Sequence, residues 1–191
     1  LENLFERSVT LFSSGYHANL ALMSTAVEST DIVASDALNH ASLIDGLRLS
    51  RADRRVIKHN TPTSIPDGTT MVVVEGVYSM DGDIIDLPAY VGDHWLTVDE
   101  AHSFGVLGPD GKGAAAAMGI EPDFVVGTLG KAIGTYGAFV VGPPDLKALL
   151  LSQGRSFIFT TGLPEPVVRA SIAGLSLATN ERREALQANV Q

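Results

Sequence analysis

The chain has 191 residues, 45% of them hydrophobic and 18% charged, and a net charge of −9. That apolar content excludes intrinsic disorder, and the apolar runs are too short and interrupted to supply the roughly 20 residues of a membrane-spanning helix. Acidity without a basic stripe excludes a binder of nucleic-acid backbones, and the absence of cysteine excludes disulfide scaffolds and thiolate metal sites while fitting a cytoplasmic home.

The chain opens on LENLFERS, a helical pattern in which Glu2, Glu6 and Arg7 stand where a signal peptide would be apolar. Apolar residues recur at helical spacing from Tyr16 to Val27, with Ser13, Ser14 and Gly15 at the helix start. Asp31–Asp36 is a weak strand signal, and Ala41–Leu49 is again helical. The basic cluster Arg48, Arg51, Arg54, Arg55 and Lys58, interrupted by Asp53, reads as a solvated helix-end surface. Four Val-rich runs bounded by Gly, Pro or Asp then predict buried strands: Met71–Gly76, His94–Glu100, Asp123–Thr128 and Gly137–Gly142. Leu146–Leu151 and Pro166–Thr179 are helical, the second with proline near its start, where a missing N–H is harmless. The polar stretch NERREALQANVQ closes the chain in a last helical pattern, so the chain reads as a piece of something longer.

Strands alternating with helices predict an α/β fold, a mostly parallel sheet sandwiched by helices, whose ligands bind beyond the carboxyl ends of the strands. Those ends carry Glu75 and Ser79, then Asp99, Glu100 and His102, then Thr128 and Lys131. A phosphate-binding Walker loop is excluded, since Val125 stands where its first glycine belongs and Ala132 follows Lys131. Neither G-x-S-x-G, H-E-x-x-H nor G-x-G-x-x-G occurs at a suitable place. Pyridoxal phosphate (PLP) does use this set: a lysine for a Schiff base, an acid against the pyridine nitrogen, a stacking face and a phosphate cradle. Lys131, among Gly130, Ala132 and Gly134, supplies the amine, and Asp99 at a buried strand end supplies the acid. The helix start at Ser13–Gly15 offers N–H groups to a phosphate, with Thr128 able to add a hydroxyl.

FSSGYHANLA, SDALNHASLIDGLRLSRA, EGVYSMDGD, VDEAHSFGVLGPDGKG and GTLGKAIGTYGAF, in this order, resemble the α-oxoamine synthases. These are fold-type I PLP enzymes that condense an amino acid with an acyl thioester and release carbon dioxide. The resemblance runs from Leu1 to about Ala178 and implies that 1–178 form the large cofactor-binding domain. Residues 179–191 would begin a linker helix toward a small domain that carries the substrate-gripping arginine. By motif, it implies Lys131, His40 and Asp99 as catalytic: the Schiff-base lysine and α-proton base, the ring-stacking histidine and the pyridine-nitrogen partner. It also implies His102 and Ser79 beside the ring 3-hydroxyl and Gly15, Tyr16 and Thr128 near the phosphate. Thr160 or Thr161, in FTTGLP, would reach the phosphate of a second subunit, which implies a homodimer with shared sites.

RSFIFTTGLP resembles members that join L-alanine to a pimeloyl thioester in biotin synthesis, while other segments resemble members using glycine with an acetyl thioester or serine with a palmitoyl thioester. A truncated homologue that binds cofactor or partner without turnover is the reading of another class. Two connections are shorter than the family's, Gly82–Asp93 and His59–Met71, the first near the minimum for a parallel crossover. His17, His59 and His94 match no site motif and are expected at the surface or in loops. Glu75 is expected to support the strand-end network, and Tyr136 and Phe139 to pack.

Overall fold

The computed structural model describes residues 1–190. Seven strands form one sheet: β1 (Ser8–Phe12), β2 (Ile32–Asp36), β3 (Asp53–Ile57), β4 (Met71–Glu75), β5 (Trp95–Asp99), β6 (Phe124–Thr128) and β7 (Ala138–Gly142). Their order is β1-β7-β6-β5-β4-β2-β3, and only the β1–β7 and β6–β7 pairs are antiparallel. The expected mostly parallel sheet is therefore present, with β7 as its one reversed strand. The helices are α1 (Glu2–Phe5), α2 (Gly15–Ala26), α3 (Ala41–Ser50), α4 (Ala114–Ala117), α5 (Pro144–Gln153), α6 (Arg155–Ile158), α7 (Glu165–Leu177) and α8 (Asn180–Val190). None of these helices is long and apolar enough to cross a membrane.

Alternate residues of each inner strand face opposite layers, as a pleated strand requires. Met71 and Val73 pack with Ala18, Leu22, Met23, Leu43, Leu47 and Leu150 of α2, α3 and α5. Their neighbours Val72 and Val74, with Leu96 and Val98, pack on the other face against Tyr78, Ile85, Leu87, Tyr90 and Ala114. The short β4-to-β5 connection thus covers its face without a helix: Ile85, Leu87 and Tyr90 are fully buried around a single 3₁₀ turn at Leu87–Tyr90. α2 and α3 meet at Gly46, where an added Cβ would lie 2.7 Å from the Met23 Cβ and 2.9 Å from the Asn19 carbonyl oxygen.

Several expectations need correction. LENLFERS is helical for one turn only, because from Ser8 the chain becomes β1, an edge strand with buried Val9, Thr10 and Phe12. The basic cluster is not all helix end: Arg54 and Arg55 lie on β3, the opposite edge, where charge discourages further strand pairing. Phe139 is fully buried as expected, whereas Tyr136 is more than half exposed.

Candidate active site

The parallel register aligns Glu75 with Asp99 and Asp99 with Val126, so the carboxyl ends of β4, β5 and β6 share one edge. Asp99 is buried there. Its Oδ2 accepts from Asn19 Nδ2 at 2.7 Å and its Oδ1 accepts from the Ala101 N–H at 2.9 Å. The same Asn19 amide donates to Ser42 Oγ at 2.9 Å, and the Ser42 hydroxyl lies 2.7 Å from His40 Nδ1. His40 Nδ1 also accepts from the Ser42 N–H at 3.2 Å, which caps α3. Because Nδ1 accepts the Ser42 N–H, the Ser42 hydroxyl beside it is placed to donate to the same nitrogen. A chain of side chains therefore joins the buried acid of β5 to the exposed histidine heading α3. Sequence reasoning missed Asn19 and Ser42, since neither residue type marks a site and only the α2–α3 contact brings them together.

Glu75 accepts the His40 N–H through Oε1 at 2.5 Å. Burial, then the charge of Asp99, pushes its carboxyl up to about 8. Glu100, next to Asp99, has a different task. Also buried, it accepts the Ala114 and Ala115 N–H groups at 2.9 and 2.8 Å and the Ser103 hydroxyl, fixing the start of α4.

Lys131 stands in the turn after β6 with Nζ 2.8 Å from His102 Nε2. Desolvation lowers the lysine's pKa against the opposing carboxylates of Asp99 and Glu75. Desolvation, then the Lys131 charge, lowers that of His102. The pair is thus an amine beside an imidazole, each pushed toward its neutral form. Thr128 is less free than expected: its hydroxyl donates to the Gly137 carbonyl at 3.1 Å and accepts from the Gly130 N–H at 3.2 Å, holding the Lys131 turn. Gly137, at φ 111°, permits that turn.

At the head of α2, Ser14 accepts from the His17 N–H at 3.2 Å, and Ser13 Oγ lies 2.7 Å from His17 Nδ1. Gly15 opens onto free space, since an added Cβ would meet nothing within 4 Å. The Tyr16 hydroxyl bonds to Asp45 of α3. Ser79 is exposed on the loop after β4, and Thr160 and Thr161 are exposed between α6 and α7, with no side-chain hydrogen bond to the cluster among the described residues. The structure thus brings Lys131, His102, Asp99 and His40 to one edge, with Glu75 beneath them. His94 is a loop histidine bonded to the Tyr90 carbonyl. His59 lies in the turn after β3, as expected of a loop histidine, but its half-buried ring is held between Asp36 and Asp83.

PLP fits this donor set. A buried carboxylate oriented by two donors, an amine of lowered pKa within reach of an imidazole, an unobstructed helix start at Gly15 and a buried, unpartnered Asn19 Oδ1 lie around one sheet edge.

A family model described as aminotransferase class I and II matches residues 3–191. The 8-amino-7-oxononanoate synthase of Methylococcus capsulatus is 43% identical over 95% of this chain and 51% of its own length. Among solved structures, the 8-amino-7-oxononanoate synthase of Francisella tularensis is 37% identical with a TM-score of 0.90, covering 98% of this chain and 59% of that one. A lysine-to-alanine variant of serine palmitoyltransferase from S. paucimobilis, with a bound PLP–myriocin aldimine, is 36% identical with a TM-score of 0.91, covering 98% and 52%. The chain spans about half the length of the curated relatives it matches. With a family match across nearly all of its length and the same sheet as these solved enzymes, the chain belongs to the aminotransferase class I and II family.

Proposed function

We propose that this chain is the cofactor-binding part of a PLP-dependent acyltransferase that joins L-alanine to a pimeloyl thioester, giving 8-amino-7-oxononanoate, carbon dioxide and free thiol. The observation that carries this reading is Lys131 Nζ at 2.8 Å from His102 beside the braced Asp99, in a chain whose relatives bear that enzyme's name. Residues 1–178 would form the cofactor domain and 179–191 the start of a linker, of which Asn180–Val190 is helical and Gln191 lies outside the described residues.

When bound, PLP supplies an electron sink for the substrate's α-carbon. Asp99 would face the pyridine nitrogen, with Asn19 and the Ala101 N–H fixing its oxygens. His102 and Ser79 would lie by the ring 3-hydroxyl, His40 would cover the ring, and Gly15, Tyr16 and Thr128 would border the phosphate. Lys131 Nζ would take the α-proton of alanine, because desolvation makes the neutral amine accessible. The α-carbon would then bond to the thioester carbonyl carbon as the C–S bond breaks and the thiolate leaves; the alanine carboxylate would depart as carbon dioxide, and the electron pair left on the α-carbon would take up a proton, which the protonated Lys131 amine can return. Thr160 and Thr161, exposed before α7, would serve a second subunit of a homodimer, and a cytoplasmic location accords with these substrates. The fold match to serine palmitoyltransferase favours a second reading, serine with a palmitoyl thioester.

In the protein expressed from its complete gene, a visible PLP band lost in Lys131→Ala, and thiol release from pimeloyl thioester that requires alanine, are the expected results. No band in the wild type refutes the cofactor reading; release with serine and palmitoyl thioester instead selects the second.

A further inference from the structure

The loop after β4 folds back on itself. The Tyr78 N–H donates to the Asp83 carbonyl at 3.0 Å, the Gly82 N–H to the Tyr78 carbonyl at 2.8 Å, and Val77 bridges Ile84. Ser79 and Met80 occupy its tip, and Met80 is 91% exposed, so the tip has no packing of its own. What holds this hairpin lies at its base. His59 Nε2 is 2.7 Å from Asp83 Oδ2, and His59 Nδ1 is 2.9 Å from Asp36 Oδ1 at the end of β2. The His59 ring packs edge-on against Tyr78, centroids 4.5 Å apart. Tyr78 Oη in turn accepts the Glu75 N–H at 3.2 Å and lies 3.4 Å from Asn39 Oδ1, one residue before His40. Asp36 is anchored independently by the Leu38 and Asn60 N–H groups. Asp83 is not: its Oδ1 is buried without a partner, so His59 is the side chain that ties it to the sheet.

We propose that His59 is a positioning residue, a clamp between Asp36 and Asp83 that fixes the 77–84 hairpin and thereby the place of Ser79 at the cofactor site. This rests on the functional reading above, which puts Ser79 beside the cofactor. Two ionised carboxylates offer only acceptors, so both ring nitrogens must carry protons for both bonds to form at once. Burial alone would lower the His59 pKa, but the bonds to Asp36 and Asp83 and their charges raise it overall. The other titratable groups nearby are Tyr78 on the hairpin and Tyr90, whose neighbour is Asp36. Because the folded-state pKa is raised, the clamp is closed below the ordinary histidine pKa and opens as pH rises through the folded value.

Hydrogen–deuterium exchange of 77–84, corrected for intrinsic rates, tests this in the protein expressed from its complete gene, from about pH 6 to about pH 9, for wild type, His59→Gln and Asp83→Asn. PLP affinity is titrated under the same conditions. Wild-type protection of the hairpin should fall about tenfold across this range while β4 and β5 stay protected. His59→Gln should be unprotected and flat with pH, and both variants should bind PLP about tenfold more weakly at the acid end. Equal hairpin protection in wild type and His59→Gln at about pH 6 overturns the clamp, and a loosened hairpin with unchanged PLP affinity overturns its positioning role. If neither variant folds, protection in wild type that is independent of pH overturns it. A wild type that binds no PLP refutes the functional reading instead, leaving exchange alone to judge the clamp.

Discussion

Glu75→Gln isolates the least comfortable charge in the site. Glu75 and Asp99 end adjacent strands in register, and burial and mutual repulsion raise Glu75 from 4.5 to about 8. In the unfolded chain this carboxyl ionises near its ordinary value, whereas in the folded chain it keeps its proton until about 8. Between those values the folded state binds the extra proton, so folding stability falls as pH rises, by about 1.4 kcal/mol per pH unit. Across the whole interval the loss reaches a ceiling of about 5 kcal/mol, which relaxation and water entry reduce. Glutamine keeps an acceptor for the His40 N–H but cannot ionise, and its buried NH₂ group costs about 1–3 kcal/mol if unpartnered. Urea unfolding of the cofactor-free protein should therefore find Glu75→Gln the less stable at about pH 5 and the more stable above about pH 8, the two curves crossing between. A stability difference that does not change with pH over this range would refute the burial argument.

Gly46→Ala places a methyl group within 2.7 Å of the Met23 Cβ, so thermal unfolding should show a loss of about 1–3 kcal/mol. The parting of α2 from α3 should also weaken PLP binding through the Asn19–Ser42 bond. Lys131→Met removes the second-largest influence depressing His102, so the His102 titration followed by NMR should move upward, and a downward move would show that the two side chains do not meet as described.

The inner strands were legible because they are buried on both faces: MVVVE and AFVVG read as continuous apolar runs. β1 and β3 were not, because an edge strand needs fewer apolar residues; DRRVI buries only Ile57. Lys131, Asp99 and His102 were legible because chemistry demands their types at strand ends. Asn19, Ser42 and Asp36 join the site through contacts that the fold creates across long sequence separations, as between Asn19 and Asp99 or Asn19 and Ser42. His59 shows the limit most clearly. A lone histidine after a charged strand carries no pattern, and its two carboxylates come from the ends of β2 and of a distant hairpin.

Net charge sets how a phosphate-bearing cofactor approaches this chain. Nine net negative charges on this chain, treated as centred about 20 Å from the approaching dianion, repel it. In water that repulsion is about 2 kcal/mol at 0.01 M salt, where the screening length is about 30 Å, and about 0.3 kcal/mol at 0.15 M, where it is about 8 Å. Attraction must come from within a few ångströms, from Lys131 and the open N–H groups at Gly15, and contacts that short are barely screened. The association rate of PLP measured by stopped-flow absorbance should therefore rise with salt, by up to about fifteenfold over this range, while dissociation changes little. Most cationic sites behave in the opposite sense, so association that slows with salt would mean that a positive field focused at the sheet edge outweighs the charge of the whole chain.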